Sequence, residues 1–184
     1  MPPIGVLPMG DVPQIAVKSV AAYILGYLNL ETDILSSLEH PEYAYDKKRL
    51  QYDAGTILKT LEPISFNAYS KIVCVLDADL FVPILTYVFG EARQGGKHAL
   101  VSINRLKKNP DGSVPPMDLV LERTAKIALH ELGHLFDIHH CTDGKCLMFF
   151  LATLKDLDNV SPYFCRYCSI SIREALRRQM SKDQ

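Results

Sequence analysis

Between residues 130 and 168 the chain gathers His130-Glu131-Leu132-Gly133-His134, His140, Cys141, Cys146, Cys165 and Cys168, most of its histidines and cysteines in about a fifth of its length. Two imidazoles four residues apart lie one above the other only on a helix. A third, at position 140, can join them only if that helix stops and the chain bends back. Nothing else restricts the fold so sharply. One helix and the turn after it must form a rigid unit, and the rest of the chain is expected to hold that unit in place.

The residue types point to zinc. Zinc takes neutral imidazole at about 2.0–2.1 Å, and a catalytic site keeps three protein ligands with a fourth position for water. His130, His134 and His140 are the candidate ligands; His139 would break the spacing. Glu131 lies on the same side of the helix but cannot easily reach the metal too, which suits it to take the proton of the metal's water as general base. His-Glu-x-x-His alone arises by chance in on the order of one per cent of chains this long at ordinary usage, so the added histidine matters. Along the helix expected over about 119–136, with Asp118 as N-cap, Ala125, Leu129, Leu132 and Phe136 form an apolar face. His130, Glu131 and His134 fall opposite it.

Cys141, Cys146, Cys165 and Cys168 form two close pairs about twenty residues apart, the bipartite pattern of a closed four-thiolate metal site. Disulfides or a redox Cys-x-x-Cys are the alternatives. A reducing compartment disfavours the first and the second pair disfavours the other. Backbone N–H donors, with Lys145 and Arg166, are candidates to offset the thiolate charge. Cys74 stands apart in Lys71-Ile72-Val73-Cys74-Val75-Leu76 and is expected to be a buried free thiol.

At 184 residues, 48% apolar and 22% charged, the chain suits a single domain over 1–184 with a full core. Twenty basic against 21 acidic side chains give no reason to expect nucleic acid or an anionic membrane as partner. No apolar run reaches a membrane span and no secretory signal is visible, so a cytoplasmic protein, monomeric by default, is expected.

Upstream, apolar runs at Ile4–Leu7, Thr32–Leu38 and Lys71–Leu76 predict strands. Helices are predicted after Asp11 and Gln14, with Pro13 in the first turn, and from Asp46 to Leu61, ended by Pro63. Pro83–Phe89 and His98–Leu106 are short enough in their link to pair antiparallel. The expected architecture is a mixed α/β sheet of about five strands with one antiparallel edge strand, covering 1–136 together with the histidine helix. A C-terminal part, 137–184, would carry His140, the cysteines and a last helix entered through Ser171 and Glu174. The loop Lys107–Pro116 is a candidate rim.

The combination His130-Glu131-x-x-His134, His140, Cys141, Cys146, Met148 and Cys165-x-x-Cys168 resembles the archaemetzincins, metzincin-type zinc peptidases. Asp137 stands where the metzincin pattern has glycine; Asp enters the left-handed region that this turn needs more readily than most residues. The resemblance implies peptide-bond hydrolysis by a zinc metallopeptidase, with exopeptidase (aminopeptidase) and endopeptidase action both open. It implies two zinc ions per chain, one catalytic and one structural on the four cysteines, and a Met-turn at Met148. It also implies a peptide or protein substrate extended along the edge strand, placed over Pro83–Phe89. Some metzincins carry a tyrosine two residues after that methionine; here Phe150 has no oxygen to offer, and Tyr163 is a candidate oxyanion helper. The competing expectation is a zinc-stabilised binding module without hydrolytic activity, against which the intact Glu131 argues.

Overall fold

The computed structural model describes residues 1–182. Its frame is a five-stranded sheet in the order β2-β1-β5-β8-β7, built from β1 (Ile4–Met9), β2 (Thr32–Ile34), β5 (Lys71–Leu76), β7 (Gly90–Ala92) and β8 (His98–Ser102). Four strands are parallel, and β7 runs antiparallel to β8 at one edge. Both faces of the central strands are buried, so β1, β5 and β8 read as continuous apolar runs rather than alternating ones. Ile4, Val6, Val73, Val75, Ala99 and Val101 serve one core, while Leu7, Ile72, Cys74, Leu76 and Leu100 serve the other.

The first face is covered by α1 (Gln14–Leu28) and α3 (Met117–Leu135), the second by α2 (Ala54–Leu61). On α1, Val17 and Ile24 are fully buried. Pro13 is its N-cap, and no side chain bonds the first turn there, so the spacing of Asp11 and Gln14 does not form a capping box. On α3, Pro116 rather than Asp118 is the N-cap; Asp118 lies in the first turn. Every α3 residue from Arg123 to Leu135 is buried, so the helix runs through the middle of the molecule instead of lying on it.

Three further expectations are corrected. Residues 46–53 are not helical: β3 (Tyr45–Asp46) and β4 (Gln51–Asp53) form a hairpin that joins β6 (Leu80–Phe81) in a second, three-stranded sheet. The Asp46 carboxylate accepts the N–H groups of Lys48 and Arg49, and Leu50 turns the chain at φ 56°. Such a local side-chain bond offers the backbone an alternative to helix. Asp53 then caps α2 by accepting from Thr56 N–H at 3.1 Å. The antiparallel edge strand is Gly90–Ala92, inside the predicted link, and Pro83–Phe89 is mostly turn. The last helix, α5 (Arg166–Lys182), begins five residues before Ser171, whose hydroxyl donates to Tyr167 O within the helix.

Between α3 and α5 lies α4 (Leu154–Asn159), opened by a capping box of Thr153 and Asp156. It is tied to α3 by Arg123, whose guanidinium grips both Asp158 oxygens at 2.7 Å and also donates to Asn109 Oδ1 at 3.0 Å. No helix among the described residues is long and apolar enough to cross a membrane.

Candidate metal centre and cleft

The end of α3 explains how three histidines meet. Phe136 is its C-cap; Asp137 follows at φ +66°, Ile138 N–H donates to Gly133 O at 3.0 Å, and Asp137 N–H to His134 O at 2.9 Å. This pair of bonds around a left-handed residue is a Schellman ending. Asp137 adopts the glycine-like conformation anticipated for it, and the reversal carries His140 back toward the helix.

His130 Nε2 and His134 Nε2 then lie 3.1 Å apart, and His134 Nε2 and His140 Nε2 3.2 Å. His130 Nδ1 lies 2.7 Å from Leu147 O, and His134 Nδ1 2.8 Å from Ile138 O. A carbonyl oxygen only accepts, so both Nδ1 atoms carry the proton and both Nε2 atoms are bare. Two bare nitrogens at that distance cannot bond to each other; a shared cation relieves them. Imidazoles held tetrahedrally at zinc distances have their nitrogens about 3.3 Å apart, so the donor set fits a zinc ion. Burial, with His134 nearby, pushes His130 down to about 3, and burial also lowers His134 and His140. All three are thus neutral, as a metal requires. His139 is exposed and outside this triad.

Glu131 is 7% exposed. Burial, and secondarily the charge of Glu91, raises its carboxyl well above the ordinary range. It shares a cleft of about 440 Å³ with His130, His134 and His140. One wall is the stretch Leu85–Ala92, and the other is Phe150–Ala152. Gly90 is where the edge strand touches Glu131: a Cβ there would sit 2.7 Å from Glu131 Cγ and Oε1. Phe150 packs its ring edge-on against His140 at 5.1 Å between centroids. Tyr163 instead packs its ring at a tilt against Tyr27, 4.9 Å between centroids, and does not line the cleft. Nor does the loop Lys107–Pro116, whose Lys108, Asn109 and Pro110 line a neighbouring depression.

Met148 is fully buried under α3, so close to Gly133 that a Cβ there would lie 2.5 Å from its sulfur. A glycine in a helix interior costs about 1 kcal/mol against alanine; here it admits the methionine. Gly90 and Gly133 are the two site residues whose role the sequence does not declare. Their only signal is a glycine inside a strand or helix, which marks close approach.

The four cysteine sulfurs lie within 4.8 Å of one another, with Cys141 and Cys165 3.8 Å apart, and none is in a disulfide. A tetrahedral zinc with Zn–S bonds of 2.3 Å spaces its sulfurs about 3.8 Å apart, so this set also fits. N–H groups of Asp143, Met148 and Cys165 point at the sulfurs of Cys141, Cys146 and Cys146. Lys145 does not help; its ammonium is taken by Asn159. Cys74 is fully buried, and burial pushes its thiol up to about 12.

The chain is similar to known proteins over nearly all of its length. The model of peptidase family M54 matches residues 16–174. The archaemetzincin of Methanopyrus kandleri is 41% identical over 138 residues, 75% of this chain and 75% of its own length. That of Thermococcus kodakarensis is 33% identical over 169 residues, 89% and 91% of the two chains. The crystal structure of the Methanopyrus kandleri archaemetzincin superposes with a TM-score of 0.83 at 34% identity, covering 95% of this chain and 96% of that one. The archaemetzincin of Archaeoglobus fulgidus, complexed with malonate, superposes with a TM-score of 0.79 at 28% identity, covering 91% and 99%.

Proposed function

The chain belongs to peptidase family M54 and is a zinc metallopeptidase; from that premise we propose that His130, His134 and His140 hold its catalytic zinc and that Glu131 is its general base. The observation carrying this assignment is the pair of bare, converging Nε2 atoms of His130 and His134, each fixed by a carbonyl behind it, with Glu131 in the same cleft. A second zinc, held by Cys141, Cys146, Cys165 and Cys168, makes two per chain, with Met148 as the Met-turn beneath the first. The working unit is a single catalytic domain over 1–184.

Zinc bound at the histidines supplies Lewis acidity, polarising a scissile carbonyl, acidifying water and drawing a neighbouring carboxyl back toward its ionised form. The protein's own groups do the rest. A peptide lies extended along β7, bonded through its main chain to the free edge of Gly90–Ala92. Glu131 takes the attacking water's proton on a carboxylate oxygen and returns it to the leaving nitrogen. The Leu147 and Ile138 carbonyls fix the imidazole rings and raise their basicity.

The test uses a peptide library, with metal counted by mass spectrometry. Wild-type protein is expected to cut peptides and to carry two zincs, one yielding to chelators before the other. Glu131→Ala should keep both zincs and lose turnover by a factor of about 10² or more. Unchanged hydrolysis in that variant would end the general-base assignment.

A further inference from the structure

The cleft beside the histidines does not run on freely. Tyr87 Oη donates across it to Ala152 O at 3.0 Å, joining the Leu85–Ala92 wall to the Phe150–Ala152 wall. On the far side of this tie lies a second depression of about 530 Å³, lined again by Tyr87 and Phe89, and by Thr153 and Leu154, the residues directly after Ala152. The two hollows are therefore one groove interrupted by one side chain.

That side chain is held from behind as well as in front. The Arg105 guanidinium lies 4.2 Å from the centre of the Tyr87 ring. Asp79 in turn grips Arg105 with two bonds, of 2.6 and 2.8 Å. Phe89 packs edge-on against the ring at 5.4 Å. A ring so clamped on three sides is part of the wall, not a freely turning surface group.

Its distance from the chemistry is set by the chain. Gly90 abuts Glu131, and Tyr87 precedes it by three residues, at most about 10 Å of extended backbone. A substrate strand alongside has the same repeat, so about three residues fit between the scissile bond and the tie.

We propose that Tyr87, tied to Ala152, is the end wall of the substrate cleft and confines cleavage to bonds within about three residues of a chain terminus. This specificity role rests on the peptidase function proposed above. Which terminus is involved follows from the direction in which the peptide pairs with β7.

The test compares peptides sharing one scissile bond: a twelve-residue peptide blocked at both ends and cut at its middle, and two short forms with only two residues on one side or the other. Wild-type kcat/KM is expected to favour one short form over the long one by tenfold or more. In Tyr87→Phe, which loses only the hydroxyl, the long-to-short ratio should rise about 2- to 10-fold, the effect of one hydrogen bond. In Tyr87→Ala it should rise further, and the ratio is unaffected by any general loss of activity. The same peptides are titrated by fluorescence anisotropy onto zinc-loaded Glu131→Ala protein, where the same order of affinities is expected without turnover. Equal treatment of long and short peptides by the wild type, or a ratio unmoved in both variants, overturns the end wall. Length discrimination in binding with no cleavage by the wild type instead overturns the peptidase function and leaves the wall standing.

Discussion

Replacing Gly90 by alanine tests how tightly the edge strand and Glu131, the proposed general base, are fitted together. The added Cβ would lie 2.7 Å from Glu131 Cγ and Oε1 and 2.8 Å from Ile127 Cγ2, where ordinary contact begins near 3.4 Å. Something must move by about 0.7 Å. The strand cannot yield cheaply, because Gly90 is paired with Val101 and Phe89 O accepts from Ser102 N–H at 2.8 Å. Ile127 is β-branched and nearly fixed in its helical rotamer. Glu131 is left to shift.

A base displaced by about 1 Å costs on the order of 10²-fold in rate, and overpacking costs about 1–3 kcal/mol of stability. Gly90→Ala should therefore lower kcat/KM on a cleaved peptide about a hundredfold while zinc content stays at the wild-type level. Gly26→Ala is the control: its Cβ meets nothing within 4 Å on α1, so it should leave activity alone and add about 0.5–1 kcal/mol of stability. Activity of Gly90→Ala within twofold of wild type would refute the close fit.

Cys165→Ser should release the cysteine-bound zinc and, through the turn at Cys141, weaken catalytic zinc at least tenfold in a competition with a coloured chelator; unchanged affinity would separate the two sites. Asp137→Gly should be tolerated within about 1 kcal/mol at its φ of +66°, whereas Asp137→Val should lose about 1–2 kcal/mol, read by urea unfolding. Arg123→Ala removes a 3%-exposed guanidinium but leaves an Asp158 carboxylate that is 39% exposed and can rehydrate, so about 2–3 kcal/mol is expected in the same assay, below the usual loss for a wholly buried pair.

The parts of this molecule that the sequence makes legible are those whose geometry is local. His130, Glu131 and His134 are placed by helical period alone, and Asp137 by the turn that any third ligand at His140 demands. The continuous apolar runs of β1, β5 and β8 announce strands buried on both faces. What was not legible depends on partners far along the chain. The edge strand is Gly90–Ala92 because β8 supplies its pairing, not because its own residues favour a strand. The Asp46 side-chain bonds to Lys48 and Arg49 N–H compete with helical propensity and keep 46–53 out of the expected helix, which starts at Ala54. Nothing local in the sequence pairs Arg123 with Asp158, which α4 delivers to it from 35 residues away. Gly90 and Gly133 are the extreme case, because their role is the space they leave for Glu131 and Met148.

The bonds around Met148 give a physical reason for two metal-capable clusters to share one short stretch. Cys141 follows His140 directly, and its N–H donates to Met148 O at 2.8 Å. Met148 N–H points at Cys146 Sγ at 3.5 Å. The residue between, Leu147, offers the carbonyl that fixes the His130 ring, and its own N–H donates to Tyr163 O, two residues before Cys165. Four bonds thus connect the sulfur cluster to Met148 and, through Leu147 and the His140-Cys141 step, to two of the three imidazoles. A loop that must hold a ring to within tenths of an ångström cannot rely on its own entropy-rich backbone. A metal cross-linking the four sulfurs, as proposed above, would remove most of the alternatives before the histidines meet. On the assignment proposed above the cysteine cluster belongs to the catalytic geometry as well as to the fold, and damage to it should appear first as loosened histidine-bound metal and only later as unfolding.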